Sequence, residues 1–360
     1  MKAATLKAFG SPLVVEDVPG PVLGTGEVVV DVAAAGVSSY ADEVFSNHRR
    51  YPIVLPMVPG PGGIGRVRAA GPDATRLRPG DWVYCDCTVR SRDGALAPDI
   101  TLQGWSARGE GGLQLQQYFH DGTFAEQVRM PTENVVPIGA IPDADAGRWC
   151  AVTVLLVPYG GLLAANLQPG ETLLVSGATG NFGSAAVLLG LAMGAGCVVA
   201  PGRNPAVLDD LRRRFGPRVR TVELSGNEDK DRERMKGAAP PGGIDCVLDI
   251  LPPSAPATAA RAAVMAVRPY GRAVLMGGVG MLGGAGLDLP YPWIMRNCVT
   301  IYGQWMYGVD AVTRLVRLVR SGLLDLGHWA VTEFPLAQAN EAVAHAAANG
   351  GPFRATVLRP

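Results

Sequence analysis

Gly177-Ala178-Thr179-Gly180-Asn181-Phe182-Gly183 is the stretch around which the chain is arranged. Residues 172–176 (Thr-Leu-Leu-Val-Ser) precede it and read as a buried parallel strand. Residues 184–193, rich in alanine and leucine, follow it and read as a helix with no breaker before Gly190. Strand, glycine turn and helix together are the setting of a dinucleotide fingerprint. The glycines let the backbone turn sharply, approach a pyrophosphate and pack helix on strand, while N–H groups at the helix start face the phosphates. The spacing is Gly-x-x-Gly-x-x-Gly, a variant of the usual Gly-x-Gly-x-x-Gly. A tight turn without a ligand is the alternative it leaves open.

A chain of 360 residues, 48% apolar and 18% charged, has material for two domains with sizeable cores. Its 32 basic and 32 acidic residues cancel, with no charged tail, so bulk electrostatics predicts neither a nucleic-acid nor a membrane partner. No apolar run reads as transmembrane and the first residues lack a signal-peptide core, which predicts a cytoplasmic protein. The six cysteines (85, 87, 150, 197, 246, 298) form no Cys-x-x-Cys pair and read as buried free thiols. The four histidines (48, 120, 328, 345) cluster with none of them, so no structural zinc is expected.

Residues 1–140 read as an antiparallel, strand-rich module: a hairpin of 1–9 and 13–18 about the turn 10–12, then strands at 28–35, 63–69, 82–87 and 127–130. The stretches 37–62 and 90–116 read as long functional loops. A helical pattern over 144–165 is interrupted at Pro158. Strands at 197–200, 245–250, 272–276 and 299–302 then alternate with helical segments such as 205–215, the mark of a doubly wound α/β sheet. Helices at 312–321 and 336–348 and a strand at 354–358 close the chain.

Cofactor preference is written at the end of the second of these strands, Val199-Ala-Pro-Gly202-Arg203-Asn204. NAD enzymes place an acid there for the ribose diol. Here there is none; Gly202 leaves room, and Arg203 suits a 2′-phosphate in bidentate fashion. The expected cofactor is NADPH, the alternative being a surface arginine after a turn.

Met1-Lys-Ala-Ala, Gly26-Glu-Val-Val, Gly36-Val, Val58-Pro-Gly60, Gly80-Asp-Trp-Val83, Gly122-x-Phe-Ala-Glu126, the glycine turn, and Leu248-Asp249 followed by Gly271-Arg-Ala-Val occur in this order. In this the chain resembles the medium-chain dehydrogenase/reductase superfamily over essentially its whole length. The resemblance implies an α/β protein with a GroES-like β-rich catalytic domain (1–150, completed by 306–360) and a Rossmann parallel-sheet domain (151–305). It implies a substrate cleft between them and a homodimer joined through the last Rossmann strand, near Val299-Thr-Ile-Tyr-Gly303. By the same resemblance the backbone at Gly277-Gly278-Val279 and Gly303-Gln304 holds the nicotinamide, and Leu251 borders the adenine.

The departures from the family carry the chemistry. Zinc-dependent relatives have a cysteine ligand in Gly-Val-Cys-His and a histidine in Gly-His-Glu; this chain has Gly36-Val-Ser38-Ser39 and Gly60-Pro61-Gly62. The four-cysteine zinc lobe is missing as well, so no catalytic or structural metal is expected. Without a Lewis acid, hydrogen-bond donors must carry the charge that develops when hydride is transferred. Conjugate reduction asks least of them, because charge spreads over an enolate. An NADPH-dependent reductase of α,β-unsaturated carbonyls or quinones is the leading expectation. Zinc-free carbonyl or alcohol chemistry is the second, and a catalytically silent NADPH sensor or scaffold the third. Ser38, Ser39 and Tyr40, at the places of the missing ligands, are the candidate catalytic residues, with Tyr40 donating to the substrate oxygen. For the serines helix capping is the alternative, for Tyr40 packing, and His48 reads as a solvated loop residue.

Overall fold

The computed structural model describes all 360 residues. They form two compact units: Met1–Thr153 with Leu326–Gly350 and Arg354–Pro360, and Val154–Asp325 with Gly351–Phe353.

The second unit holds a six-stranded sheet ordered Val219–Glu223, Cys197–Gly202, Thr172–Ser176, Ile244–Asp249, Val267–Leu275, Thr300–Gly303, with every pair parallel. Counted in chain order, the strands lie third-second-first-fourth-fifth-sixth, the Rossmann arrangement. The fingerprint strand is central and buried on both faces, with Leu173, Leu174 and Val175 all at 0% exposure. Its uninterrupted apolar run follows from that position. The helix after the turn, Asn181–Ala192, begins three residues earlier than its composition suggests, and Gly190 lies inside it, where a side chain would press on Leu173.

In the first unit a seven-stranded sheet is organised on Glu27–Val37, which pairs antiparallel with Gly63–Ala70, Gln127–Pro131 and Arg354–Arg359. Lys2–Thr5 and Val14–Asp17 form the expected hairpin. The GroES-like β-rich unit and the doubly wound parallel sheet are thus both present.

Three segments differ from their sequence reading. The stretch 90–116 is not a loop. Thr88–Arg90, Ile100–Leu102 and Ser106–Arg108 make a small antiparallel sheet, followed by a helix, Gly109–Tyr118. Three-residue strands carry too little periodicity to register, and the opening Gly-Glu-Gly-Gly lowers helix propensity. The gain is close packing: a side chain at Gly112 would meet the Ile100 carbonyl oxygen at 2.4 Å. The helix Ala151–Ala164 runs unbroken through Pro158 because packing overrides the missing N–H, with Leu155, Leu156, Tyr159 and Leu162 buried around it. Finally, Val219–Glu223 (Val-Arg-Thr-Val-Glu) is a sheet-edge strand whose charges hid it, with only Val219 and Val222 buried.

The run Asp143–Ala164 is also long and apolar enough to cross a membrane, 22 residues that include an 18-residue window of mean hydropathy 1.3, contrary to the expectation that no segment qualifies. The pattern broke at Pro158 on paper but not in the fold, and 72% of that window is buried within the protein. Five cysteines are buried as expected; Cys298 is exposed.

Candidate active site

The expected nucleotide residues come together on one edge of the parallel sheet. Gly177 follows the first strand, Gly202 ends the second, Leu251 lies just beyond the fourth, Gly278 and Val279 follow the fifth, and Gly303 and Gln304 end the sixth. Because the strands are parallel, these are all C-terminal ends, where open α/β sheets take their ligands.

Backbone geometry builds the cradle. Gly177 has φ +92°, the left-handed region that a side chain disfavours. Gly180 N–H bonds to the Gly177 carbonyl at 2.9 Å, closing the turn, and Gly180 caps the helix in extended conformation. The Ser184 N–H to Gly180 carbonyl bond, also 2.9 Å, is where helical bonding begins, so the opening turn directs its positive dipole end at the loop. A side chain at Gly183 would sit 1.9 Å from the Gly177 oxygen, so helix and turn touch through bare backbone. Beside this turn Asn181 Oδ1 is buried without a hydrogen-bond partner.

The end of the second strand packs directly on the fingerprint: a side chain at Gly202 would come within 2.2 Å of Thr179 Cγ2. Arg203 follows, exposed and in no ion pair or hydrogen bond. Its neighbours differ. Arg212 pairs with Asp209, and Arg213 and Arg214 with Asp210. Asn204 is committed to the fold, its side chain capping Pro205–Phe215 by accepting from the Ala206 and Val207 N–H groups. Leu251 accepts from Gly278 N–H at 2.8 Å, and Gln304 N–H bonds to the Leu275 carbonyl at 3.1 Å, tying these loops to one another. A glycine cradle, an open helix N-terminus and an unpaired guanidinium fit a dinucleotide.

In the GroES-like unit, Ser38, Ser39 and Tyr40 follow the strand Glu27–Val37. The capping position of the helix Ala41–Phe45 falls to Tyr40, with no side-chain cap bond, so the serines do not serve as caps. The Ser38 and Ser39 hydroxyls make no hydrogen bond within the chain, and Ser39 packs against Gly350. The Tyr40 ring meets Trp105 edge-on at 5.7 Å and lies under the Arg49 guanidinium at 4.7 Å. Burial, and then the neighbouring Tyr51 phenol, raise the Tyr40 hydroxyl above the ordinary tyrosine range. The phenol therefore stays neutral and able to donate. His48 is exposed and in no hydrogen bond or ion pair.

Sequence reasoning missed a second phenol. Tyr84, fully buried, places its hydroxyl 3.2 Å from Thr153 Oγ1. Both reach the backbone where the histidine ligand is missing: a side chain at Gly62 would lie 3.0 Å from the Tyr84 oxygen and 3.3 Å from Thr153 Oγ1. Nothing in the strand Trp-Val-Tyr-Cys distinguishes this tyrosine from a core residue; only the crossing of three segments reveals it. Burial also lifts the Tyr84 hydroxyl well above its usual value and pushes the thiols of Cys85 and Cys150 to about 12. These cysteines are protonated, inert packing. No three His, Cys, Asp or Glu side chains are grouped to hold a metal ion.

Comparison with known proteins agrees with this architecture. Residues 24–143 match the alcohol dehydrogenase GroES-like domain family. An alcohol dehydrogenase of Rhizobium meliloti (strain 1021) is 35% identical over 207 residues, covering 54% of this chain and 55% of that protein. An acryloyl-coenzyme A reductase of Metallosphaera sedula is 31% identical over 203 residues, 54% of this chain and 57% of that one. The chain thus spans about half the length of the curated relatives it matches. Among solved structures, an alcohol dehydrogenase from Thermus sp. ATN1 superposes with TM-score 0.80 at 21% identity, covering 100% of this chain and 99% of that one. With a GroES-like unit, a Rossmann sheet and a glycine cradle at the C-terminal strand ends, the chain has the fold of the alcohol dehydrogenases it superposes on, and its residues 24–143 match their GroES-like domain.

Proposed function

We propose that the protein is an NADPH-dependent oxidoreductase that transfers a hydride to an α,β-unsaturated carbonyl, reducing its carbon–carbon double bond, or to a quinone-type small molecule, without a catalytic metal. The observation that carries the cofactor assignment is Arg203, the unpaired cation after Gly202 on a strand that ends without an acid. When bound, NADPH supplies the hydride. The fingerprint turn would hold the pyrophosphate, the Arg203 guanidinium would pair with the 2′-phosphate, and the loops at Gly278–Val279 and Gly303–Gln304 would fix the nicotinamide end.

Hydride adds to the substrate β-carbon, the π electrons move toward the carbonyl oxygen, and an enolate forms. The Tyr40 O–H, kept neutral by its surroundings, donates a hydrogen bond to that oxygen, and solvent water supplies the proton that completes the product at the α-carbon. A neutral donor is adequate because the charge is shared between oxygen and carbon. Ser38, Pro61 and Gly62 offer no ligand set for a Lewis acid. The acryloyl-coenzyme A reductase among the relatives, named for an α,β-unsaturated thioester, favours this reading. The alcohol dehydrogenases favour the second reading, direct carbonyl or alcohol chemistry. A homodimer joined along the edge strand Thr300–Gly303 belongs to the proposal; Tyr302 on that edge is 41% exposed.

The test uses NADPH deuterated at the transferred position with an aryl enal in metal-free buffer. Deuterium on the product β-carbon is expected. Deuterium on the former carbonyl carbon would replace the proposal with the second reading, and tight NADPH binding without turnover would point to a sensor.

A further inference from the structure

His120 lies just beyond the helix Gly109–Tyr118, and both of its ring nitrogens meet acceptors. Nδ1 is 2.9 Å from Asp121 Oδ1, and Nε2 is 3.1 Å from the Val54 carbonyl oxygen. A carboxylate and a carbonyl offer no proton, so both contacts are hydrogen bonds only when the ring carries two protons. Asp121 is the one charged side chain that acts on the ring, and Arg129, from the strand Gln127–Pro131, acts on Asp121 in turn. The helix brings Glu110 and Tyr118, the latter donating to Glu27. Residues 52–58 and 103–105, which bond to this corner, bring no titratable side chain. The hydrogen bond to Asp121 raises the imidazole above the ordinary histidine range, against the pull of burial.

Val54 is held on both sides. Its N–H donates to Gln116 Oε1 at 2.8 Å, and its carbonyl takes the His120 contact. Further along, Met57 exchanges two backbone bonds with Leu6, and Val58 N–H donates at 2.9 Å to the same Asp121 oxygen that faces His120. These residues span the stretch from Tyr51, whose phenol neighbours Tyr40, to Gly60. When one proton leaves the ring, the other stays toward the carboxylate, the stronger acceptor. Nε2 then turns a lone pair onto the Val54 oxygen, and that contact becomes repulsive. We propose that His120 is a pH latch on residues 52–58: as an imidazolium it holds the Val54 carbonyl, and as a neutral ring it releases Val54 while Val58 stays on Asp121. The folded ring titrates above its unfolded value, so the latch is closed below about pH 6.5 and opens as pH rises through the higher folded value. It lies outside the proposed chemistry, and its test needs no substrate or cofactor.

Nuclear magnetic resonance of the whole protein, from about pH 6 to about pH 9, tests the latch. With four histidines the ring spectrum is readable. His120→Gln identifies the resonance or, should that variant not fold, through-bond correlation to the His120 backbone does. Two protonated ring nitrogens are expected at the lower pH, then a titration above 6.5 that leaves the proton on Nδ1. Across that titration the Val54 amide, corrected for its intrinsic exchange rate, should lose protection about fivefold, the worth of one ordinary hydrogen bond. Met57 and Val58 should keep theirs, and in His120→Gln the Val54 protection should no longer change with pH. A ring titrating at or below 6.5, a neutral ring protonated on Nε2, or Val54 protection that ignores the titration would each overturn the proposal. So would equal losses at Met57 and Val58, which would mean general loosening in place of a latch.

Discussion

The nucleotide edge of the Rossmann sheet and the loops of the GroES-like unit that carry Ser38–Tyr40 and Gly60–Gly62 are built on opposite principles. The first is made of backbone. Its glycines are required by contacts of 1.9 Å at Gly183 and 2.2 Å at Gly202, and the chemistry it offers is N–H groups, a helix dipole and one unpaired arginine. The second is made of side chains delivered from separate segments: Tyr40 against Trp105 and Arg49, Tyr84 against Thr153. Backbone sites are fixed by spacing along the chain, whereas side-chain sites are fixed by tertiary crossing. The Rossmann edge is accordingly the more rigidly specified of the two, and the Ser38–Tyr40 region the more open to change.

The sharpest way to break this contrast is Gly183→Val. Its side chain would drive the helix start off the Gly177 carbonyl, and NADPH binding is expected to fall by at least about a hundredfold, the scale on which a buried backbone clash acts. Circular dichroism checks that the fold survives; retained NADPH affinity by fluorescence titration would mean that the cradle tolerates displacement.

The reacting half is probed by Tyr40→Phe. If the phenol donates to the substrate oxygen, kcat should drop about a hundredfold with NADPH affinity unchanged, as when one oxyanion donor is lost. Unchanged turnover in steady-state assays would remove Tyr40 from the mechanism, and a loss in Tyr84→Phe instead would transfer the role to the Tyr84–Thr153 pair.

The same contrast explains what the sequence discloses. The fingerprint strand is buried on both sides and reads as an unbroken apolar run, the glycine spacing sits between strand and helix, and Pro205–Phe215 is bounded by Asn204 and Gly216. Local rules suffice there. They fail where tertiary packing decides, as in the helix through Pro158, the three-residue strands before the Gly109 helix, and Val219–Glu223 with its exposed charges. Tyr84 was illegible because a buried strand tyrosine looks alike whether its hydroxyl is structural or reactive. The two acceptors that flank His120 are likewise invisible until residues 52–58 are placed against it.

The smallest of these three expected effects bears most directly on the central assignment, NADPH recognised by an arginine left free for its phosphate. Dissociation constants for NADPH and NADH should be measured on the wild type and on Arg203→Ala. An exposed charge-assisted contact to the 2′-phosphate makes NADPH the tighter ligand by about tenfold at low salt, and the substitution should erase that margin while leaving NADH unchanged. Equal affinities in the wild type, or an equal loss for both nucleotides in the variant, would contradict the assignment.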